Sequence, residues 1–270
     1  MSFVRRIIAR PIRFIVLLLV ITVCGFVGNY YFTAANIRTH YVAKNAALRT
    51  LPLYFYPATD TTRPPKAVVF FFGNDVGFWQ PHHQMAAIMA ADGYATVGYD
   101  MKPILSSLPE KEPARDSAFA VQIAVVIASA RQEFGAENLP LIIGGHSIGA
   151  EVAIWVAAHS RVPGVIGVLA ASPGSRSHLR ISASDMAMSS EPTDAESFAV
   201  ADAVRRMPPS VRLAIIRGGS DKYAFADSAL LEAGAPRAKR FSVPLASHSL
   251  RDLFVARFVV RNALTWLQTP

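Results

Sequence analysis

Short apolar runs alternate with longer amphipathic stretches along most of this chain, the pattern of a parallel sheet covered by helices on both faces. Leu51–Tyr56 and Lys66–Phe72 are β-rich, with the turn Asp60-Thr61-Thr62-Arg63-Pro64-Pro65 between them. A helix is predicted over His82–Ala91 and a strand over Tyr94–Tyr99, followed by Asp100. Ala114–Phe134 carries a wide Ala/Val/Ile face at helical spacing. Leu139–Gly144 and Val165–Ala171 read as strands, separated by the helical stretch Ala150–Ala158. The alternation pauses over residues 172–207, rich in Ser, Ala, Asp and Met, which predicts a small insertion. It resumes with Val211–Arg217 (strand), Phe225–Ala233 (helix), Arg240–Leu245 (strand) and Asp252–Leu267 (helix).

The N-terminal region is patterned differently. From Phe14 to Phe32 no residue is charged; these 19 residues, as a helix rising about 1.5 Å per residue, would span about 28 Å, close to the thickness of a bilayer's hydrocarbon core. Arg5, Arg6, Arg10 and Arg13 precede the run, which favours a cytoplasmic N-terminus and export of the downstream chain. The expected organisation is a basic tail over residues 1–13, a transmembrane anchor over 14–32, a connector over 33–50 and an α/β domain over 51–270. Two other readings of the same residues stay open: a signal peptide cleaved near Thr33-Ala34-Ala35, and lipidation at Cys24, the single cysteine.

Net charge changes the picture only once it is located. The chain carries +8, of which residues 1–44 supply +6 from Arg5, Arg6, Arg10, Arg13, Arg38 and Lys44 with no acid. The rest, with 21 basic and 19 acidic residues, is nearly balanced. Together with the lack of an interleaved basic and aromatic motif, this argues against nucleic-acid binding. No His/Asp/Glu grouping has metal spacing and no glycine-rich loop has a nucleotide pattern, so neither metal nor cofactor is expected. Oligomeric state leaves no signal.

Gly145-His146-Ser147-Ile148-Gly149 carries the chemistry. A serine between glycines, after an apolar strand and before a helix, is the pattern of a nucleophile elbow. A serine nucleophile needs a base, an orienting acid and an oxyanion site. The strand Leu213–Arg217 runs into Gly218-Gly219-Ser220-Asp221, and Phe241–Leu245 runs into Ala246-Ser247-His248, so an acid and an imidazole follow at later strand ends. Ser147, Asp221 and His248 are therefore the candidate nucleophile, acid and base, with Asp202 and Asp227 as reserve acids. Backbone N–H groups of Ile148 and Asn74 are the candidate oxyanion donors. Asp221 also reads as a helix N-cap and His248 as a surface histidine. His82 and His83, near the oxyanion loop, are placed to touch substrate or to be solvated at a helix start. His146 is expected to pack beside the sheet, and His178 falls in the insertion.

The order Ser–acid–His resembles the α/β-hydrolase superfamily, and residues 66–255 resemble the bacterial VirJ/AcvB virulence-protein family. The resemblance rests on Phe72-Gly73-Asn74-Asp75-Val76-Gly77-Phe78-Trp79, on Gly93-Tyr94-Ala95-Thr96-Val97-Gly98-Tyr99-Asp100 and on Gly145-His146-Ser147-Ile148-Gly149-Ala150-Glu151-Val152, with a fainter echo at Leu179–Asp185. The chain departs from the family where Asn-Asp-Val-Gly replaces a glycine-richer loop, and where Met101-Lys102-Pro103-Ile104 replaces an aromatic cluster. The resemblance implies an α/β-hydrolase fold and extracytoplasmic hydrolysis of aminoacyl-phosphatidylglycerol; combined with the apolar run read as an anchor, the expected location is a bacterial inner membrane, single-pass, with the hydrolase domain in the periplasm. Asp75, Trp79, His82 and Glu151 become candidate substrate contacts. Glu151 is placed to receive an aminoacyl ammonium, or else is simply an acid favoured in the first turn of a helix. A general esterase for soluble esters and a non-catalytic binding protein on the same scaffold are the competing expectations.

Overall fold

The computed structural model describes residues 14–25, 41–107, 117–160, 162–181, 191–250 and 253–269. Residues 14–25 form a helix, α1, with exposed side chains. The basic tail, the rest of the expected anchor (26–32) and the first part of the connector (33–40) lie outside the described residues. Among the described residues no helix is long and apolar enough to cross a membrane.

The compact α/β unit spans Thr39–Pro270. It contains α2 (Ala46–Arg49), β1 (Leu53–Tyr56), β2 (Val68–Phe72), α3 (Gln80–Ala91), β3 (Ala95–Tyr99), α4 (Lys102–Leu105) and α5 (Ser117–Glu133). Then come β4 (Leu141–His146), α6 (Ile148–His159), β5 (Val165–Ala171), β6 (Arg176–Ser177), β7 (Phe198–Ala199) and α7 (Val200–Arg206). The chain closes with β8 (Arg212–Gly218), α8 (Ala226–Gly234), β9 (Ala238–Val243) and α9 (Leu253–Gln268). Seven strands form one sheet in the order β1-β3-β2-β4-β5-β8-β9, and β6 pairs with β7 in a separate ribbon. Only β1 runs antiparallel to its neighbour in the large sheet.

Strand alternation divides the core in two. Val68, Phe70, Phe72, Leu141 and Ile143 face α5, α6, α7 and α8, while Val69, Phe71, Ile142, Leu169 and Ile216 face α3 and α9. Both faces are covered, which is why the central strands are apolar at every position instead of every second one. Helix α6 is buried from Ile148 to Ala157 because the sheet, α5 and α7 surround it. Helix α9 has a wet side and shows the amphipathic spacing of a surface helix.

Most element boundaries shift by a residue or two, and two of the differences bear on the architecture. Residues 41–50, expected as connector, belong to the α/β unit. Glu133 at the end of α5 accepts hydrogen bonds from the Tyr41 hydroxyl at 2.8 Å, Lys44 N at 2.7 Å and Asn45 N at 3.0 Å, and Leu48 is buried. Strand β4 continues two residues beyond Gly144, because Gly145 and His146 keep pairing with Ala170 and Ala171 of β5. Substituting Glu133→Ala removes the shared acceptor of three donors at once. Hydrogen bonds to a charged acceptor contribute about 1.5–3 kcal/mol each, discounted here for partial exposure, so a net loss of about 2 kcal/mol is expected in urea unfolding.

Candidate active site

Four strand ends meet at one edge of the sheet. Since β2, β4, β8 and β9 run parallel, Asn74, Ser147, Asp221 and His248 all follow C-terminal ends on the same side. Ser147 stands between β4 and α6 with φ 54° and ψ −124°, a region that costs a serine about 1–3 kcal/mol. Burial of Leu141, Ile142 and Ile143 in β4 is worth about 2 kcal/mol per side chain, so packing of the strand outweighs the strain. The reversal also needs glycine on either side. A Cβ on Gly145 would stand 2.2 Å from Gly149 O, and one on Gly149 would stand 2.1 Å from Gly73 O.

The side chains form a continuous relay. His248 Nε2 lies 3.0 Å from Ser147 Oγ, and His248 Nδ1 lies 3.1 and 3.2 Å from the two Asp221 carboxylate oxygens. A carboxylate only accepts, so Nδ1 carries the proton and Nε2 is free to accept from the serine hydroxyl. This arrangement can take a proton from Ser147 and hold the resulting imidazolium against a carboxylate.

Asp221 is charged for a reason that no local motif announces. Burial by itself would raise its carboxyl, but hydrogen bonds from His248, Arg217 and Tyr223 N overcome that and hold it well below the usual carboxylate range. Arg217 Nη1 donates to Asp221 at 2.8 Å, while Nε and Nη2 donate to Asp227 at 2.9 and 2.7 Å. Nη2 also reaches Pro173 O at 2.6 Å, and the guanidinium has no exposed surface. Breaking one arm of such a buried pair typically costs about 3–5 kcal/mol. The sequence signal is an arginine directly after the apolar run Leu213–Ile216. The same network takes up Asp227, and Asp202 pairs with Arg205 at 2.6 Å near the surface, so neither reserve acid meets His248. Asp221 caps no helix: the residue before α8 is Phe225.

A cavity of about 730 Å³ opens over Ser147. Asn74, Asp75, Trp79, Ile148 and Glu151 line it. Asn74 is shaped by its own turn, its carbonyl accepting from Gly77 N at 3.0 Å and its side-chain oxygen from Val76 N at 3.2 Å. The segment predicted as an insertion supplies another wall through Gly174, Arg176, Ser177, His178 and Glu191, residues that had no motif to announce them. Residues 182–190 of that segment lie outside the described residues.

His82 is not in that wall. It is buried, as is His83, because α3 packs its first turn onto the sheet instead of leaving it in solvent. Its Nε2 lies 3.1 Å from His146 Nδ1, and His146 Nε2 lies 2.9 Å from His248 O. Burial, helped by the neighbouring His248 ring, pushes the His146 imidazole down to about 4.

The topology and the elbow are those of the α/β-hydrolase fold. No family model and no curated protein matches the sequence. Solved structures share its fold at low identity. A putative dienelactone hydrolase from Klebsiella pneumoniae aligns with a TM-score of 0.57 at 15% identity over 82% of this chain and 93% of that one. The esterase domain of a Rhodothermus marinus protein aligns with a TM-score of 0.55 at 18% identity over 79% of this chain and 91% of that one. MenH from S. aureus aligns with a TM-score of 0.58 at 12% identity over 80% of this chain and 99% of that one.

Glu151 is the most perturbed acid facing the cavity. Burial pushes its carboxyl up to about 7, against the pull of hydrogen bonds from Ser177 and Gly174 N. A carboxyl raised on folding stabilises fully below its unfolded value near 4.5 and loses that contribution as pH rises through 7. Glu151→Gln removes the buried charge, so its melting temperature relative to wild type should rise between pH 5 and pH 8, by up to about 3 kcal/mol in stability.

Proposed function

We propose that this protein is a serine hydrolase of carboxylic esters. The observation that carries the reading is the relay from Ser147 Oγ through His248 to Asp221, set on a strained elbow beneath an open cavity. Ser147 Oγ attacks the ester carbon as His248 Nε2 takes its proton. The carbonyl oxygen becomes an oxyanion, assigned to the main-chain N–H groups of Ile148, at the start of α6, and Asn74. Collapse releases the alcohol, which takes the proton from His248 and leaves an acyl-serine. Water then repeats the cycle, releasing the carboxylic acid. The short relay and the space above it favour an enzyme over a binding protein on the same scaffold.

The finer reading is an aminoacyl-phosphatidylglycerol hydrolase held by its N-terminal segment in a bacterial inner membrane, with the α/β unit in the periplasm. The apolar run from Phe14 and the arginines before it support the anchor. Glu151, in the cavity wall one turn beyond the nucleophile, supports an ammonium-bearing acyl group, since a cation there would keep the carboxyl ionised. A general esterase needs no such acid.

Ser147→Ala is expected to lower ester turnover by about 10⁴-fold or more, and a fluorophosphonate is expected to label the wild type but not the variant. Folded wild type that resists labelling and turnover would sink the hydrolase reading. For the finer one, lysyl- or alanyl-phosphatidylglycerol is compared with a short p-nitrophenyl ester. Glu151→Gln should cut kcat/KM on the aminoacyl lipid by about 10-fold or more while leaving the neutral ester within about twofold, as for loss of a charged contact. Equal effects on both would leave only the general esterase.

A further inference from the structure

We propose that His82 and His146 act as positioning residues for the base, forming one uncharged hydrogen-bond chain that clamps the main-chain carbonyl of His248. The proposal rests on the ester-hydrolase reading of the site. With both rings neutral, hydrogen-bond logic assigns the protons along this chain. The His248 carbonyl can only accept, so His146 Nε2, 2.9 Å away, carries hydrogen. A neutral ring has one N–H, so His146 Nδ1 accepts, and His82 Nε2 at 3.1 Å is its donor. His82 Nδ1 is then an acceptor and meets Trp79 N–H at 3.3 Å. Every link runs in one direction, from Trp79 in the cavity wall to the loop of the base.

Each ring is placed by its element. His82 is the third residue of α3, where a side chain turns back to the N–H before the helix. His146 ends β4 on the same sheet face as Ile142, which is the face α3 covers. Its ring lies 5.6 Å from that of His248. The loop it holds carries Leu245 and Leu250 at φ 60° and 48°, conformations side chains resist, so a tie to the main chain between them offsets part of that strain. Asp221 orients the His248 ring from one side, and this chain fixes the backbone from the other.

The chain functions only while both rings are neutral, since a second proton on His146 would turn its acceptor towards a donor. Burial keeps both low, reinforced by His83 and His146 around His82, and by His248 and Arg217 around His146. The Gly77 carbonyl and Asp221 pull the other way and are outweighed.

The test compares His146→Leu, His146→Gln and His82→Asn with wild type in the full chain, by fluorophosphonate labelling rate and by kcat and KM on a short p-nitrophenyl ester. Leu removes the donor to His248 O, and Gln restores an N–H near the same point. Asn at 82 can still cap Trp79 N but cannot reach His146, and it leaves the β4 strand untouched. His146→Leu should lose about 10²-fold in kcat and labelling rate with KM within about twofold, the cost of a misplaced base. His146→Gln should recover most of that loss, and His82→Asn should lose about 10-fold. Two-dimensional nitrogen–proton spectra should show both histidines neutral with the proton on Nε2 from pH 6 to 9. A wild type that reacts while folded His82→Asn and His146→Leu react equally fast overturns the positioning role alone, as does a Gln variant no better than Leu, or a proton found on His146 Nδ1. A wild type that does not react overturns the hydrolase reading beneath it.

Discussion

The close approach of three backbone segments at the elbow is the constraint on which the site depends. The end of β4, the start of α6 and the loop after β2 meet at distances that leave no room for a Cβ at Gly145 or Gly149. That contact forces Ser147 out of ordinary backbone conformation and lifts its hydroxyl above the sheet edge. It also brings the loop carrying Asn74 beside the first N–H of α6. Ser147 and both proposed oxyanion donors are thus set by one packing event, and the surrounding buried strands supply the free energy that maintains it.

A second constraint is the charge of Arg217. A guanidinium with no exposed surface must be compensated, and here Asp221, Asp227 and a main-chain carbonyl do so together. Asp227 absorbs two of the donors, which leaves Asp221 one arginine contact and its other oxygen lone pairs for Tyr223 N and His248. His248 is therefore held by a carboxylate that is itself tied down by hydrogen bonds and kept ionised. The way Arg217 divides its donors decides which aspartate is left to meet His248.

Much of the scaffold was legible because both-sided burial writes long apolar strands. The spacing located β5 to the residue, and most other strands and long helices to within about two residues. Ser147, Asp221 and His248 were legible because each follows an apolar strand, and strand ends in a parallel sheet collect on one side. Less visible were contacts between segments distant in sequence. Glu133 draws residues 41–50 into the α/β unit, although nothing in that stretch is strongly periodic. Gly174 and Glu191 wall the cavity from an irregular segment, where no period announces which side chains face inward. His82 looked exposed because a histidine pair at a helix start is polar, and only the packing of α3 buries it.

The sequence by itself determined the strand–helix alternation, the elbow and the order Ser147, Asp221, His248 at successive strand ends, because these are local patterns that short-range sterics and burial impose. The opposition between Asp221 and Asp227 was not local. Both lie just beyond β8, both are acids of similar intrinsic strength, and only the path of a buried arginine separates their roles. The same holds for His82, His146 and His248, which stand far apart in the chain and become one network when α3, β4 and the loop after β9 pack together. Hydrogen bonds require atoms within about 3 Å and in defined directions, and for such distant residues that proximity exists only after the chain has folded.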